Sequence, residues 1–477
     1  MSILKKLAGE TAIYGLSSIV GRFLSYLLVP LYTGIFKPGE YGVSTLFYAY
    51  ASFLGVLFSY GMETAFFRYS QKTERKEEVF STSMISLLCT SVVFGGFIAL
   101  AAHPLAVWTH NSGREDLFKY LGVILAADGI SVLPFAWLRQ HGMAKKFVFL
   151  RMLNIITFIG LNLFFYKAMN YTNISYMFIA NLVASLIVLP FFGKEISMIK
   201  WGFNKKLWIQ LFSYAFPIIF MGLAGMVNET IDRILLKELI PNQANAEYQI
   251  GIYSANYKLA ILITLFIQAF RFAAEPFFFS HMKRDDAKQT YAKVMNYFVI
   301  VCTILFLFVL FYLDILKYFI RKEEFWKGLK VVPILLFANI CLGIYYNLSV
   351  WYKLTNMNRM GALVSVIGAL ITLVLNYLLI PHFGYMGSAW ATLICYASMV
   401  AISYLQGRRY YPVPYDLRKI GLLLGSMLFI YFVSQYTTAK IANLYLKLFI
   451  NTLILFGYFV VILFLEFKGL KRIISNK

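Results

Sequence analysis

The sequence predicts an all-α polytopic membrane protein with about fourteen transmembrane helices: two pseudo-symmetric six-helix lobes followed by two extra C-terminal helices. Three observations predict this fold. Of the 477 residues, 60% are hydrophobic and 14% are charged, whereas soluble domains are roughly half apolar and about a quarter charged. The apolar residues form long continuous runs, unlike the roughly ten-residue alternating segments of membrane β-barrels. The pattern of the first half also recurs in the second half.

Each predicted helix corresponds to one apolar run that is long enough to cross a bilayer. The hydrocarbon core is about 30 Å thick, which a helix of about 20 residues spans. No connection between the runs is long enough for a soluble catalytic domain, so an enzyme is not predicted. The predicted spans are roughly 11–34, 41–66, 80–102, 117–138, 146–167, 171–193, 213–236, 250–275, 292–316, 329–352, 358–380, 384–406, 417–436 and 443–466.

The distribution of Lys and Arg predicts the orientation. These residues are concentrated in alternate connections and near both ends of the chain. Because cytoplasmic loops carry the excess of Lys and Arg, both termini are predicted to be cytoplasmic, in agreement with an even number of spans. One connection on the predicted outer side departs from the rule, since it contains five basic residues: Lys317, Arg321, Lys322, Lys327 and Lys330.

An internal repeat predicts the division into lobes. Residues 138–193 align without a gap on residues 352–407, so that Asn162 in LNLFFY meets Asn376 in LNYLLI. Repeats of six helices are parallel, and transporters built from repeats bind substrate where the repeats meet, near the bilayer midplane. The predicted domains are an N-terminal lobe over 1–200, a C-terminal lobe over 201–410 and an extra helix pair over 411–477.

Three cationic residues lie inside predicted spans: Arg22, Lys258 and Arg271. An arginine at a helix centre costs about 2.5–3.5 kcal/mol on insertion scales, so such a residue usually faces the bundle interior or a wet cavity. Helices from opposite halves could bring these cations to one cavity, where they would bind an anionic substrate. Lys258 and Arg271 could instead reach the interface with their long side chains. Arg22, near the middle of its span, has no such exit.

Four carboxylates in or near the spans are candidate counter-ions or ligands of a coupling cation: Asp128, Glu229, Asp232 and Glu275. Asp128 is central in its span and is either a counter-ion for Arg22 or a site for a coupling cation. Glu275 follows Arg271 by four residues, a spacing that favours an ion pair on one helix face. Glu229 and Asp232 either pair with the adjacent Arg233 or take part in coupling.

Composition argues against several other functions. The four Cys residues lie in apolar runs and the five His residues are scattered, so neither a metal site nor a cofactor is predicted. The net charge of +22 comes from basic clusters between apolar runs, which is typical of topology signals. Nucleic acid is therefore not a predicted partner.

Several segments resemble the polysaccharide flippases of the MOP superfamily, to which the multidrug MATE exporters also belong. They occur in order along residues 1–407: VPLYTGIFKPGEYGV, GMETAFFRYS, SYAFPIIFMGLAGMVNETIDRILLKELI, IGIYSANYKLA, EPFFFS and FGYMGSAWATLICY. The resemblance implies two lobes around a V-shaped cavity. It also implies that a lipid-linked oligosaccharide, typically on undecaprenyl diphosphate, is moved across the bacterial cytoplasmic membrane.

The resemblance further implies which residues contact substrate and which proteins are partners. Arg22 falls where related lipid II flippases also have an arginine, and Arg271 with Glu275 looks like their charged cluster on the eighth helix. Arginines are fewer here in the first two helices, which favours an O-antigen or capsule type. A polysaccharide polymerase and glycosyltransferases are the implied partners, beside membrane lipid. The alternative is a cation- or proton-coupled exporter of small molecules that uses Asp128 and Asp232.

Overall fold

The computed structural model describes residues 20–475 apart from 22, 201, 283 and 356, and for residues 467–475 it describes only the helix that they form. Helices account for all the regular structure in these residues, and thirteen of them are long and apolar enough to cross a membrane. The predicted all-α polytopic fold is therefore confirmed. The first predicted span, 11–34, lies partly outside the described residues, and so does Arg22. A shorter apolar helix, Phe23–Ile35, covers most of its described part.

Fifteen helices are numbered here in chain order, and the short helices Ala102–Trp108 and Leu313–Leu316 are left unnumbered. They are α1 Val29–Ile35, α2 Pro38–Ser70, α3 Lys76–Leu100, α4 Glu115–Gln140, α5 Ala144–Ala168, α6 Ser175–Ser197, α7 Lys205–Leu239, α8 Gln243–Leu259, α9 Ile261–His281, α10 Ala287–Phe311, α11 Glu323–Leu354, α12 Asn358–Phe383, α13 Tyr385–Tyr410, α14 Leu417–Thr438 and α15 Leu444–Glu466. Helix α2 is interrupted at Tyr60–Gly61, where both residues have positive φ. Helix α11 begins with 3-10 turns over Glu323–Val331.

The packing of Cα atoms divides the chain into two compact units. Unit 1 contains Met1–Ser254 and Ser365–Ser388, and unit 2 contains Ala255–Val364 and Ala389–Lys477. These units describe packing density and do not test the lobes predicted from the repeat. The division at residues 200 and 410 stays a prediction.

In unit 1, an aromatic core joins α2, α3, α4 and α7. Phe66, Phe80 and Trp137 are almost fully buried, and the rings of Phe80 and Trp137 lie 4.6 Å apart. Helix α1 is attached to α5 by a buried hydrogen bond in which the Tyr32 hydroxyl donates to Oδ1 of Asn162 at 2.8 Å. Large apolar side chains and one satisfied polar pair thus hold the first helices together.

The two asparagines that the repeat aligns have the same local geometry. Both Asn162 and Asn376 are 0% exposed. Each donates Nδ2 to the carbonyl four residues earlier, at 2.7 Å to Phe158 and 2.8 Å to Thr372. The shared arrangement fits a common origin of the two segments.

In unit 2, α14 and α15 are attached to α10 by a polar anchor. Asn451 of α15 accepts from the Ser434 hydroxyl at 2.7 Å and donates to the carbonyl of Phe311 at 3.1 Å. Apolar side chains on other faces of the pair remain exposed, with Phe429 at 69% and Phe456 at 64%. Such faces suit contact with lipid, where the backbone is already satisfied by the helix.

The predicted eighth span differs most from the structure. The sequence predicts one continuous helix over 250–275, but α8 ends at Leu259 and α9 begins at Ile261. The carbonyl of Ala260 accepts a hydrogen bond from Asn339 of α11 at 3.3 Å. Insertion of a side chain into the backbone ladder is a known cause of helix breaks. Lys258 therefore lies in the last turn of α8.

Candidate functional site

Arg271 belongs to a cationic cluster in unit 2. It projects from α9 over the ring of Tyr346 on α11, with 4.0 Å between the guanidinium carbon and the ring centre. Such contacts stabilise a partly desolvated cation. Glu275, one turn later on α9, forms an ion pair with Lys353 at the end of α11. We call Arg271, Glu275 and Lys353 the Arg271 cluster.

The Arg271 cluster differs from the pair that the sequence predicts. Glu275 is bound by Lys353 instead of by Arg271 on its own helix, because the end of α11 brings a second cation beside α9. Arg271 and Lys353 also lie close enough to act on one another electrostatically. The Arg271 cluster thus contains two cations and one carboxylate, and the side chains of Lys353 and Glu275 remain 36% and 39% exposed. A partly open site with surplus positive charge can bind an anion.

Of the other two predicted cations, the structure describes only Lys258. Arg22 lies outside the described residues. Lys258 is half-buried in the last turn of α8, where the partial negative charge of a helix C-terminus favours a cation. Thirteen residues separate Lys258 from Arg271, which corresponds to roughly 20 Å along helices that rise 1.5 Å per residue. The two cations lie on different helices, and a shared cavity with Arg22 stays a prediction.

Asp128 lines a cavity of about 320 Å³ inside unit 1. Polar side chains from α2 and α6 line the same cavity, among them Tyr48, Ser52 and Asn181. The carboxylate of Asp128 interacts with the Ser185 hydroxyl and, electrostatically, with Arg151 of α5. A carboxylate in the wall of a cavity can hold a proton or a small cation.

Arg151 and Lys353 are not among the site residues predicted from the sequence. Arg151 lies within the predicted span 146–167 and stacks on Phe135, with 4.2 Å between the guanidinium carbon and the ring centre. A charge inside an apolar run is a pattern that could have identified Arg151 from the sequence. Lys353 lies at the edge of its span, where basic residues are common, so no local pattern separates it from a topology signal.

The carboxylates of α7 are arranged differently. Asp232 is 4% exposed and accepts from both the backbone N–H and Nη1 of Arg233, at 2.9 and 2.8 Å. Arg233 also donates to the carbonyl of Glu229 at 3.2 Å, while the side chain of Glu229 is exposed. Pairing with Arg233, one of the two predicted alternatives, is thus present for Asp232. Within the described residues, no group of three His, Cys, Asp or Glu could hold a metal ion.

Comparison with solved structures identifies the fold. The structure titled "Lipid II flippase MurJ, inward closed conformation" matches with a TM-score of 0.76 at 15% identity, over 95% of this chain and 98% of that chain. An inward-facing multidrug resistance MATE transporter of the MOP superfamily matches with a TM-score of 0.65 at 12% identity, over 84% and 95%. The chain thus has the fold of the MOP superfamily, as the resemblance predicts.

The family model identifies the chain more closely. Residues 7–282, more than half of the chain, match the family described as "Polysaccharide biosynthesis protein". The chain belongs to this family. A curated relative, "Uncharacterized membrane protein MJ1068" of Methanocaldococcus jannaschii, is 23% identical over 436 residues, which cover 84% of this chain and 83% of the relative.

Proposed function

We propose that this protein is a flippase that moves a lipid-linked oligosaccharide of the undecaprenyl diphosphate type across the bacterial cytoplasmic membrane for surface polysaccharide assembly. The observation that carries the proposal is the surplus positive charge of the Arg271 cluster in a polysaccharide biosynthesis protein. A diphosphate needs several cationic donors when it leaves water. Both termini would be cytoplasmic, and an O-antigen or capsule repeat unit is the expected cargo.

The role of each residue follows from its chemistry. Arg271 presents a planar fork of donors, which matches phosphate oxygens in pairs. The ring face of Tyr346 contacts the guanidinium of Arg271, and Lys353 supplies a second, flexible point charge. While the site is empty, the negative charge of Glu275 reduces the electrostatic repulsion between Arg271 and Lys353. Arg22 and Lys258 would contact the phosphates or acidic sugars at other depths.

The test is surface glycan display in a strain that lacks the chromosomal gene. Arg271→Gln and Arg22→Ala are each expected to abolish display while the protein remains in the membrane. Arg284→Gln is the matched control, because Arg284 follows α9, its side chain is 63% exposed, and it pairs with the exposed Asp286. Normal display with Arg271→Gln, at unchanged protein level, would remove Arg271 from the substrate site. Normal display in the deletion strain itself would refute the flippase.

A second candidate function is a cation- or proton-coupled exporter of small molecules. The cavity that reaches Asp128 favours it. This candidate predicts drug resistance on overexpression, loss of that resistance in Asp128→Asn, and no glycan phenotype on deletion. A lost surface glycan would exclude export as the main role.

A further inference from the structure

A cluster of two cations and one carboxylate lies in unit 1, where α7 ends and α4 and α8 begin. The guanidinium of Arg114 donates to both carboxylate oxygens of Glu247, at 2.5 Å from Nη1 to Oε1 and 2.9 Å from Nη2 to Oε2. The Nζ atom of Lys237 donates to the same Oε1 at 2.6 Å. We call these three residues the Arg114 cluster. None of these three residues is among the site residues predicted from the sequence.

The Arg114 cluster has one carboxylate for two cations in a poorly hydrated place. The side chain of Lys237 is 0% exposed and that of Glu247 is 14% exposed. Burial tends to raise the pKa of Glu247, but hydrogen bonds from Arg114 and Lys237 outweigh burial and hold this pKa below its ordinary value. The carboxylate is therefore ionised at neutral pH, and it cancels only one of the two positive charges.

The nearest other carboxylate does not remove this surplus. Glu238 acts electrostatically on Lys237, but its side chain is 40% exposed and lies 3.9 Å from His110. Water therefore screens its charge. Two cations that share one carboxylate away from water are short of negative charge.

The cluster is also open on one side. The side chain of Arg114 is 32% exposed, so a solute can approach the guanidinium without prior unfolding. The bidentate grip on Glu247 is the geometry that arginine uses for phosphate as well as carboxylate. A lysine beside it adds a point charge that suits the same anions.

We propose that Arg114 and Lys237 form an anion-binding station for a phosphate group of the substrate, and that Glu247 is its internal occupant in the absence of substrate. The identity of the anion rests on the proposed function, whereas the station itself does not. The diphosphate of a lipid-linked substrate, with one negative charge on each phosphate, neutralises both cations, which Glu247 alone cannot do. Exchange would also release α8 from the start of α4, because Glu247 belongs to α8 and Arg114 immediately precedes α4.

The test uses Glu247→Gln, which removes the internal occupant and keeps the side-chain volume. Thermal unfolding of the purified protein in detergent is measured with inorganic pyrophosphate, and with sodium chloride at equal ionic strength. The variant is expected to unfold at a lower temperature than the wild type and to be restored saturably by pyrophosphate. Its apparent affinity for pyrophosphate should exceed that of the wild type at least tenfold, because no carboxylate competes.

Two matched variants complete the test. The double variant Arg114→Gln with Glu247→Gln should not respond to pyrophosphate beyond the chloride control. Glu238→Gln removes a neighbouring carboxylate at the surface and should behave as the wild type. The proposed anion-binding station would be refuted if chloride stabilised Glu247→Gln as much as pyrophosphate does. It would also be refuted if pyrophosphate still stabilised the double variant.

A milder change keeps the test decisive if Glu247→Gln does not fold. Glu247→Asp retains the charge but shortens its reach, so it should bind pyrophosphate more tightly than the wild type. Equal affinity in the two proteins would contradict the proposal. The test of the anion-binding station measures binding, whereas glycan display in the deletion strain tests the flippase. A failure of the anion-binding station can therefore be distinguished from a failure of the proposed function.

Discussion

Helices α2 and α8 approach each other backbone to backbone at Gly42 and Gly251. A Cβ atom on Gly42 would overlap the carbonyl oxygen of Glu247, and one on Gly251 would overlap that of Pro38. A backbone carbonyl cannot rotate away as a flexible side chain does. Gly42→Ala is therefore expected to force the two helices apart and to destabilise the protein, although alanine is the better helix former.

The size of the effect follows from two opposing contributions. Replacing glycine by alanine inside a helix gains up to about 1 kcal/mol, whereas overpacking costs about 1–3 kcal/mol. A clash between two backbones belongs at the upper end of that range. The free energy of unfolding of Gly42→Ala should thus fall by roughly 1–2 kcal/mol, the difference of these two terms.

The same helix offers a matched control. A Cβ on Gly39 meets no atom within 4 Å, so Gly39→Ala keeps the helix gain without a clash and should leave stability unchanged or higher. Thermal unfolding of both variants in detergent, followed by fluorescence-detected size-exclusion chromatography, measures the difference. If Gly42→Ala is as stable as Gly39→Ala, the reasoning about the close approach of α2 and α8 is wrong.

Further predictions concern single polar contacts. The pKa of Glu247 is lowered from 4.5 in the folded protein, so its stabilising effect is complete above that ordinary value and is lost as pH falls through the folded pKa. Unfolding temperatures between pH 7 and pH 3 should decline less steeply in Arg114→Gln. Asn451→Leu removes the two hydrogen bonds that attach α15 to α14 and α10. Its free energy of unfolding in detergent should fall by about 0.6 kcal/mol per bond, with an upper limit of about 1.7 kcal/mol per bond. Tyr32→Phe leaves Oδ1 of Asn162 without its donor and should cost about 1–3 kcal/mol in the same assay.

The fold could be predicted from the sequence because hydropathy is a local property. A run such as 287–311 contains enough apolar residues to identify a spanning helix without any knowledge of its neighbours. The break at Ala260 could not be predicted in this way. It coincides with a hydrogen bond from Asn339, which lies on another helix, and no residue near Ala260 is a proline or glycine that would indicate a break.

The candidate site could be predicted only in part, for a related reason. A charge inside an apolar run identifies Arg271, since its cost is local. Its partners are not local: Tyr346 and Lys353 come from α11. The four-residue spacing predicts Glu275 as the partner of Arg271. An ion pair within one helix contributes only about 0.2–0.5 kcal/mol, however, and Glu275 pairs with Lys353 from α11 instead.

The balance of charge inside the described clusters bears on what the protein transports. Glu275 is bound by Lys353 and Glu247 by two cations, so these carboxylates are already neutralised and the surplus is positive. A surplus of cations attracts an anionic cargo and repels a coupling cation. Asp128 differs, because it lines a cavity and Arg151 acts on it only electrostatically. If transport is coupled to a proton or a small cation, Asp128→Asn should abolish that coupling, measured as the dependence of glycan display on the ion gradient, while anion binding at the cationic clusters is retained.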